Sequence, residues 1–489
     1  MLKSGLFKLV SGTDVRGVAV GNDEQINLTD DAVYRITCAF VKWLGIKNPV
    51  IAVGNDSRIS APRIFAAVKK ALTDSGSKVV YTGLSSTPSM FMILKHRDVD
   101  ASIMITASHM PSDRNGLKFF TKNGGIDAKD LNEILSLAEK GERLYGEGSY
   151  SENPYMDEYA DMLVKKVEAE CGKLPLKGKK IIVDAGNGAG GFFAEKVLKP
   201  LGADIDGSQF LEPDGTFPNH IPNPEEAEAI LSLSRAVIKS KADLGVIFDT
   251  DVDRAALVDA DGKEINRNRL IALISAILFK DKCGVIVTDS VTCDSLTEFI
   301  EGLGGKHLRF KRGYKNVIDK CVELNESGVY SPLAIETSGH AAFKENYYLD
   351  DGAYLVVKLL TSFAKQAKEG KSLTSLIENF KEPVDEADVR LTFNGNSKDF
   401  KAEGEKVIQD LKNIAKSDSG IVLAPDNYEG VKMSFEEGSV IVRMSVHDPV
   451  MPIYAESNRI NGTKKVLKKL YLLLKDYSFL DTKNLQNII

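Results

Sequence analysis

The feature that most constrains the fold is an order of strand, helical stretch and strand that returns three times along the chain. The first strands of these repeats are Val50–Val53, Ile181–Val183 and Val285–Val287, and the second strands are Ser102–Ile105, Leu244–Phe248 and Pro332–Ile335. Strands that alternate with helices predict α/β sheets, whose ligands gather in loops at the carboxyl ends of the strands. The repeat therefore predicts three related α/β domains whose loops serve one cleft.

The pattern changes after Asp351. A helical stretch at Ala353–Lys368 leads to a mixed region that starts near Pro383. This region contains alternating strand patterns at Val389–Phe393 and Ser439–Ser445 and an amphipathic helix at Lys464–Leu474, which indicates a smaller α+β domain. We therefore predict three α/β/α sandwich domains with mixed sheets and one C-terminal α+β domain, with bounds at 1–150, 151–258, 259–380 and 381–489.

Composition excludes several classes of partner. The 63 basic and 69 acidic residues give a formal charge of −6, which disfavours nucleic acid and favours a small-molecule partner. The longest apolar stretch, Leu270–Phe279, is about half of the roughly 20 residues that cross a bilayer, so no membrane role is expected. Five scattered cysteines without a CxxC spacing, and no signal-like N-terminus, predict a cytoplasmic protein.

A metal site is predicted in the loop after the second strand of the middle repeat. Asp249, Asp251 and Asp253 alternate directly after an apolar strand, so their carboxylates can converge on a hard cation, for which Mg²⁺ is the natural candidate. An EF-hand is excluded, because it needs Gly and Glu where this chain has Arg254 and Ala260. A solvated acidic turn is the alternative, but three close carboxylates repel one another unless a cation neutralises them.

A second polar loop presents a serine. The segment TASHMP at 106–111 follows a strand and leads through a turn at Asn115-Gly116 to Lys118. A serine hydroxyl is a poor nucleophile without help from a base, a cation or a metal, and His109, Lys118 and the acidic loop are candidates for that help around Ser108. Taken alone, the segment is equally consistent with a turn that caps a helix.

Read together, these motifs resemble the α-D-phosphohexomutase family. The principal matches, in order, are TASHMPSDRNGLK at 106–118, DTDVDR at 249–254 and ETSGH at 336–340. Supporting matches are GTDVRG at 12–17, VGNDSR at 53–58, STP at 86–88, DAGNGAGG at 184–191, FPNHIPNPE at 217–225 and DDG at 350–352. The resemblance covers essentially the whole chain and implies four domains around a central cleft.

The resemblance implies transfer of a phosphoryl group between O1 and O6 of glucose or mannose, through a bound hexose 1,6-bisphosphate that also serves as activator. Ser108 is similar to the serine that gives and receives the phosphoryl group, and its phosphate completes an Mg²⁺ site made by Asp249, Asp251 and Asp253. His109, Lys118, Arg254 and His340 match the groups that surround this centre, with Lys118 or Arg254 and His340 for proton transfer or charge stabilisation.

Two further loops match substrate-binding segments of the family. Glu336 and Ser338 resemble the residues that bind sugar hydroxyls, and Lys311 matches a loop that recognises the sugar phosphate, although a solvated charge is an equal alternative. Arg443 and Ser445 match a distal phosphate loop, in which His447 stands where relatives carry threonine. We therefore expect this phosphate site to be altered but retained, as in a less-studied branch of the family.

Three alternatives stay open at this point. Phosphoglucosamine is another possible substrate. A haloacid-dehalogenase-like phosphatase would use Asp249 as its nucleophile, because a strand followed by D-x-D also resembles that class. A non-catalytic sugar-phosphate sensor would explain the unusual Met110 and Thr250 and the altered residues 446–448. The oligomeric state expected from the family is a monomer or a homodimer.

Overall fold

The computed structural model describes residues 5–22, 25–445 and 449–489. The chain divides into two compact units, the first formed by Met1–Asn266 with Ser338–Leu373 and the second by Arg267–Thr337 with Thr374–Ile489. Both units are therefore built from segments that are discontinuous in sequence. Among the described residues, no helix is long and apolar enough to cross a membrane.

The first sheet is mixed and has eight strands in the order β1-β2-β6-β5-β3-β4-β8, with β7 beside β6. Its strands are β1 Val10–Ser11, β2 Asp14–Val18, β3 Val50–Asn55, β4 Lys78–Leu84, β5 Ala101–Ile105, β6 Arg114–Thr121, β7 Gly124–Gly125 and β8 Ser149–Glu152. Its helices are α1 Asp30–Leu44, α2 Ala61–Asp74, α3 Thr87–His96 and α4 Ala128–Glu139. Because β5 and β6 are antiparallel with Met104 opposite Lys118, the serine loop leaves β5 beside that lysine.

The second sheet has the order β12-β11-β10-β9. Its elements are α5 Met156–Cys171, β9 Ile181–Asp184, α6 Ala227–Ser240, β10 Leu244–Phe248, β11 Ala255–Asp259 and β12 Glu264–Ile265. β10 runs parallel to β9 and antiparallel to β11, and all five of its residues are buried. The acidic loop at 249–254 therefore links two strands of a buried hairpin.

The third α/β segment begins the second unit. Its elements are α7 Arg267–Leu278, β13 Val285–Thr288, α8 Asp294–Gly302, β14 Lys306–Arg309, α9 Tyr314–Glu326 and β15 Leu333–Ile335, and β13 pairs in parallel with β14 and β15. The chain then returns to the first unit with β16 Ala341–Phe343 and α10 Gly352–Lys368. Asp351 caps α10 by accepting a 2.8 Å hydrogen bond from the Tyr354 backbone N–H.

The C-terminal segment forms a six-stranded antiparallel sheet in the order β18-β19-β20-β21-β17-β22. Its elements are β17 Asp385–Phe393, α11 Phe400–Ser417, β18 Val422–Leu423, β19 Val431–Phe435, β20 Gly438–Val442, β21 Val450–Ser457, α12 Gly462–Leu474, β22 Leu480–Asp481 and α13 Lys483–Gln486. One apolar cluster, to which β17, β19–β21, α11 and α12 contribute, forms its core. Short helical turns elsewhere in the chain lie at Gly5–Leu9, Ala189–Gly191, Ala194–Leu198, Lys344–Asn346 and Leu373–Ile377.

The predicted fold class is confirmed, with three α/β segments followed by a sheet-and-helix domain. The strand expected at Ser439–Ser445 is shorter than predicted, because regular pairing of β20 with β21 ends at Val442. Beyond that point Pro452 accepts from the Arg443 N–H but carries no N–H to return the bond. The helix expected directly after Ile181–Val183 is reduced to two short helical turns before α6.

Candidate active site

Three buried carboxylates converge in the first unit. Asp249, Asp251 and Asp253 are each at most 2% exposed, and one oxygen from each lies within 4.8 Å of the others. Among the described residues, Oδ1 of Asp251 and Oδ1 of Asp253 are buried without a hydrogen-bond partner. Oxygen atoms left unpaired in this way are costly unless a cation binds them, so the donor set fits a hard divalent metal ion.

The acidic loop has a strained conformation. Val252 is fully buried and has a φ of 68°, a left-handed value that a β-branched residue rarely adopts. Hydrogen bonds at both ends hold it there, since its N–H donates to Asp249 O at 3.3 Å and its carbonyl accepts from Gly352 N–H at 3.1 Å. This turn directs the alternating aspartates to one side of the loop, and strain of this kind is typical of functional sites.

Lys118 partly neutralises the carboxylates. Its Nζ donates to Oδ2 of Asp251 at 2.8 Å and to Oδ2 of Asp253 at 2.6 Å. Burial opposes the ammonium form, but Asp251 and Asp253 raise the pKa of Lys118 well above its usual value. Burial and the two neighbouring aspartates raise the pKa of Asp249, because they disfavour its charged form. A cation bound beside Asp249 would offset this effect.

Ser108 lies beside the acidic loop. Its Oγ donates to Oδ2 of Asp249 at 3.1 Å and lies 3.3 Å from Nδ1 of His109. The residue is 1% exposed and has a φ of 53°, which places a non-glycine residue in the left-handed region at the turn. Its backbone N–H donates to Thr106 Oγ1 at 2.9 Å, which fixes the turn locally.

Arg58 holds the serine loop in place through its guanidinium group. Its guanidinium donates to four backbone carbonyls, those of Ser108 at 2.5 Å, Met110 at 2.6 Å, Pro111 at 2.6 Å and Arg114 at 2.9 Å. Its Nε also pairs with Asp56 at 3.2 Å, and both side chains are fully buried. Arg58 is not among the predicted site residues, and only its place at the end of the VGNDSR motif at 53–58 marks it in the sequence.

Arg254 lies between two histidines. Its Nη2 donates to Nδ1 of His109 at 2.9 Å, and its Nε donates to Nε2 of His340 at 2.9 Å. Burial, reinforced by Arg254 and Arg16, lowers the pKa of His109 to about 2, so this ring is neutral at physiological pH. The guanidinium is thereby held close to Ser108 through His109.

His340 has a second partner on its other side. Its Nδ1 lies 2.5 Å from Oδ2 of Asp350, which also accepts at Oδ1 from the Ala341 N–H at 3.1 Å. Burial opposes protonation, but Asp350 raises the pKa of His340 above its ordinary value. Protonation of the ring therefore competes with the hydrogen bond from Arg254, since a protonated Nε2 cannot accept.

The residues expected to bind the substrate are divided between the two units. Glu336 and Ser338 are 4% and 5% exposed, and Oε1 of Glu336 accepts from the Gly313 N–H at 2.6 Å. Because Gly313 follows Lys311-Arg312, Glu336 contacts the loop that carries Lys311, which is itself exposed. Ser338 belongs to the first unit and Glu336 to the second.

The predicted phosphate loop belongs to the second unit. Arg443 Nη1 lies 3.7 Å from Oε1 of Glu429, whose Oε2 accepts from the Arg312 N–H at 3.0 Å. Burial lowers the pKa of Arg443, Glu429 opposes this effect, and the positive charge of Arg312 reinforces it. Ser445 follows on the same segment, and His447 lies outside the described residues.

Comparison with protein families gives consecutive matches along the chain. The descriptions are phosphoglucomutase/phosphomannomutase alpha/beta/alpha domain I at residues 8–144, domain II at residues 157–262 and domain III at residues 266–383.

Individual relatives match over most of their length. The chain is 30% identical to a phosphoglucomutase of Neisseria gonorrhoeae, over 91% of this chain and 92% of the relative. It is 29% identical to the phosphomannomutase/phosphoglucomutase of Pseudomonas aeruginosa strain PAO1, over 91% and 90%. A crystal structure of a phosphoglucomutase/phosphomannomutase family protein from Burkholderia thailandensis is similar with a TM-score of 0.79, 27% identity and coverage of 95% and 96%.

Proposed function

Because this chain belongs to the phosphoglucomutase/phosphomannomutase family, we propose that it transfers phosphate through a phosphoserine at Ser108. The chain is an isomerase, an intramolecular phosphotransferase that interconverts hexose 1-phosphate and hexose 6-phosphate of glucose or mannose. One observation carries the assignment of the serine: Oγ of Ser108 donates at 3.1 Å to Asp249, one of three buried carboxylates that converge on one point.

We propose that Asp249, Asp251 and Asp253 hold Mg²⁺ together with an oxygen of phosphorylated Ser108. Three carboxylates supply the hard oxygen ligands that Mg²⁺ prefers. When bound, such an ion neutralises charge on the transferring phosphoryl group. Lys118 contributes a second positive charge to the same centre, since it is paired with two of the three aspartates.

The remaining groups around Ser108 have distinct proposed tasks. Arg254 is permanently charged and contacts His109, so it stabilises negative charge that develops at the phosphoryl oxygens. His109 is neutral and accepts at Nδ1 from Arg254, so it orients this guanidinium beside Ser108. His340 accepts at Nε2 from Arg254, and we propose that this atom takes the proton of the attacking sugar hydroxyl only after the hydrogen bond to Arg254 breaks.

The substrate contacts complete the proposal. Glu336 and Ser338 would bind sugar hydroxyls, and Lys311 would bind the sugar phosphate. Arg443, Ser445 and His447 would hold the phosphate remote from the serine. A hexose 1,6-bisphosphate would be the intermediate, because one serine must serve both ends of the sugar. Glu429 contacts both the Arg443 guanidinium and the Arg312 N–H, which brings two basic residues together in the second unit and supports a phosphate site.

Substitution of the serine tests the proposal. Ser108→Ala is expected to abolish interconversion of glucose 1-phosphate and glucose 6-phosphate in a coupled assay with Mg²⁺ and glucose 1,6-bisphosphate. Ser102→Ala is the matched control, because Ser102 is a buried serine of β5 that donates to the Met90 carbonyl. The control is expected to retain turnover, and circular dichroism checks the fold of both variants. Undiminished turnover in Ser108→Ala would refute the proposal.

A further inference from the structure

Asp350, His340, Arg254, His109 and Ser108 form one continuous chain of polar contacts in the first unit. The successive distances are 2.5 Å from Asp350 to His340, 2.9 Å from Arg254 to His340, 2.9 Å from Arg254 to His109 and 3.3 Å from His109 to Ser108. The guanidinium at the middle has donors only, so both imidazoles must accept from it. This requirement fixes which nitrogen of each ring carries the proton.

For His340 the consequence is specific. Because Nε2 accepts from Arg254 Nε, the proton of the neutral ring must be on Nδ1, which lies 2.5 Å from Oδ2 of Asp350. In its carboxylate form Asp350 has acceptors only, so it accepts from this position and disfavours the other tautomer. The Ala341 N–H binds the second carboxylate oxygen and holds Asp350 in place.

We infer that Asp350 is a positioning residue: it fixes the Nδ1–H tautomer of His340 so that Nε2 can hold Arg254 beside His109 and Ser108. Asp350 contacts none of the reacting atoms, and its effect passes through two other side chains. The inference rests on the proposed function only for its effect on turnover. The tautomer itself is a property of the protein without substrate.

Asp350→Asn is the sharpest perturbation. In this variant the amide oxygen will still accept the hydrogen bond from the Ala341 N–H. The NH₂ group of the new side chain then lies toward Nδ1 of His340. Two donors would then face each other, and the ring would move its proton to Nε2, where it opposes the Arg254 N–H. We expect kcat to fall about 10- to 100-fold, as for loss of a hydrogen bond to a charged group, with KM changed less than about twofold.

The tautomer is measured directly by NMR on protein labelled with ¹⁵N-histidine, at a pH at which the ring is neutral. His340→Gln assigns the signals of His340. Wild type is expected to show the Nδ1–H form and Asp350→Asn the Nε2–H form. Asp351→Asn is the matched control, since Asp351 is the neighbouring buried aspartate that caps α10 and binds Tyr159 at 2.7 Å. This control is expected to lower stability and to leave the tautomer of His340 unchanged.

The outcomes separate the two proposals. An Nε2–H tautomer in wild type would overturn the positioning role, and so would Asp350→Asn with the wild-type tautomer and full kcat. The wild-type spectrum decides this even if the variant fails to fold. If wild type shows the expected tautomer but no mutase turnover, the positioning role stands and the proposed function fails.

Discussion

Replacement of Arg58 by methionine should release the serine loop. Arg58 donates to the carbonyls of four residues between Ser108 and Arg114 and pairs with Asp56. Methionine keeps much of the side-chain length but has no donor. The variant therefore removes the charged partner of a buried carboxylate and the Arg58 donor from four carbonyl oxygens, of which that of Pro111 keeps the Arg114 N–H at 3.0 Å.

The expected loss of stability follows from these contacts. Breaking a buried ion pair by removing one partner costs about 3–5 kcal/mol. Each abandoned carbonyl adds about 1 kcal/mol before water enters the gap. We expect the first unit to lose roughly 5 kcal/mol or more. Burial raises the pKa of Asp56 to about 6, so the additional change Asp56→Asn should recover about 2–3 kcal/mol by removing the stranded charge.

Denaturant unfolding and hydrogen exchange of residues 106–114 measure both effects. Arg63→Met is the matched control: Arg63 lies on α2, which follows Arg58 in the chain, and it pairs with Asp30, but both side chains are partly exposed, at 34% and 63%. Arg63 also donates to the carbonyls of Ala19 and Leu28 at 3.1 Å, so its loss should cost about 2 kcal/mol, well below the loss expected for Arg58. If Arg58→Met unfolds at the wild-type denaturant concentration and keeps protection in the serine loop, the argument that Arg58 supports this loop is wrong.

Two further predictions concern pH and metal. The pKa of His109 is about 2 in the folded protein, against about 6.5 in the unfolded chain, so the unfolded state alone gains this proton as the pH falls below 6.5. Stability should therefore fall on acidification, and His109→Gln should remove about 2 kcal/mol of the loss between pH 7.5 and pH 5, measured by urea unfolding. Mg²⁺ at about 100 times its Kd should stabilise wild type by about 2.7 kcal/mol, whereas Asp251→Asn should show little of this shift in thermal unfolding. Equal shifts in both proteins would contradict the assignment of Asp251 as a ligand.

The sequence predicts the elements whose signals are local. The strand Leu244–Phe248 was predicted with its observed bounds because it is a short apolar run that ends in polar residues. The acidic loop also has a local signal, since its three aspartates alternate within five residues.

The contacts of Arg58 and Asp350 could not be predicted in this way. Arg58 is 50 residues from Ser108 in sequence, and the two meet only because β3 and β5 are neighbours in the sheet. Asp350 belongs to the DDG motif, but it pairs with His340 only because the segment between β16 and α10 folds back toward the start of β16. Tertiary pairing of this kind leaves no periodic signal in the sequence.

The glycine-rich segment 184–191 shows a further limit. Such segments commonly approach phosphates, yet a Cβ on Gly188 would lie 2.6 Å from the carbonyl oxygen of Thr250. This glycine therefore allows the segment to pack against the acidic loop. The glycines predict that the backbone of this segment passes close to another group, but they do not show whether that group is a ligand or, as here, the acidic loop.

Peptide mapping by mass spectrometry after incubation with glucose 1,6-bisphosphate and Mg²⁺ tests the central claim most directly. We expect one phosphoryl group on Ser108, and loss of this modification in Ser108→Ala. Phosphate on Asp249 with none on Ser108 would contradict the account, because it would indicate a phosphatase with an aspartate nucleophile.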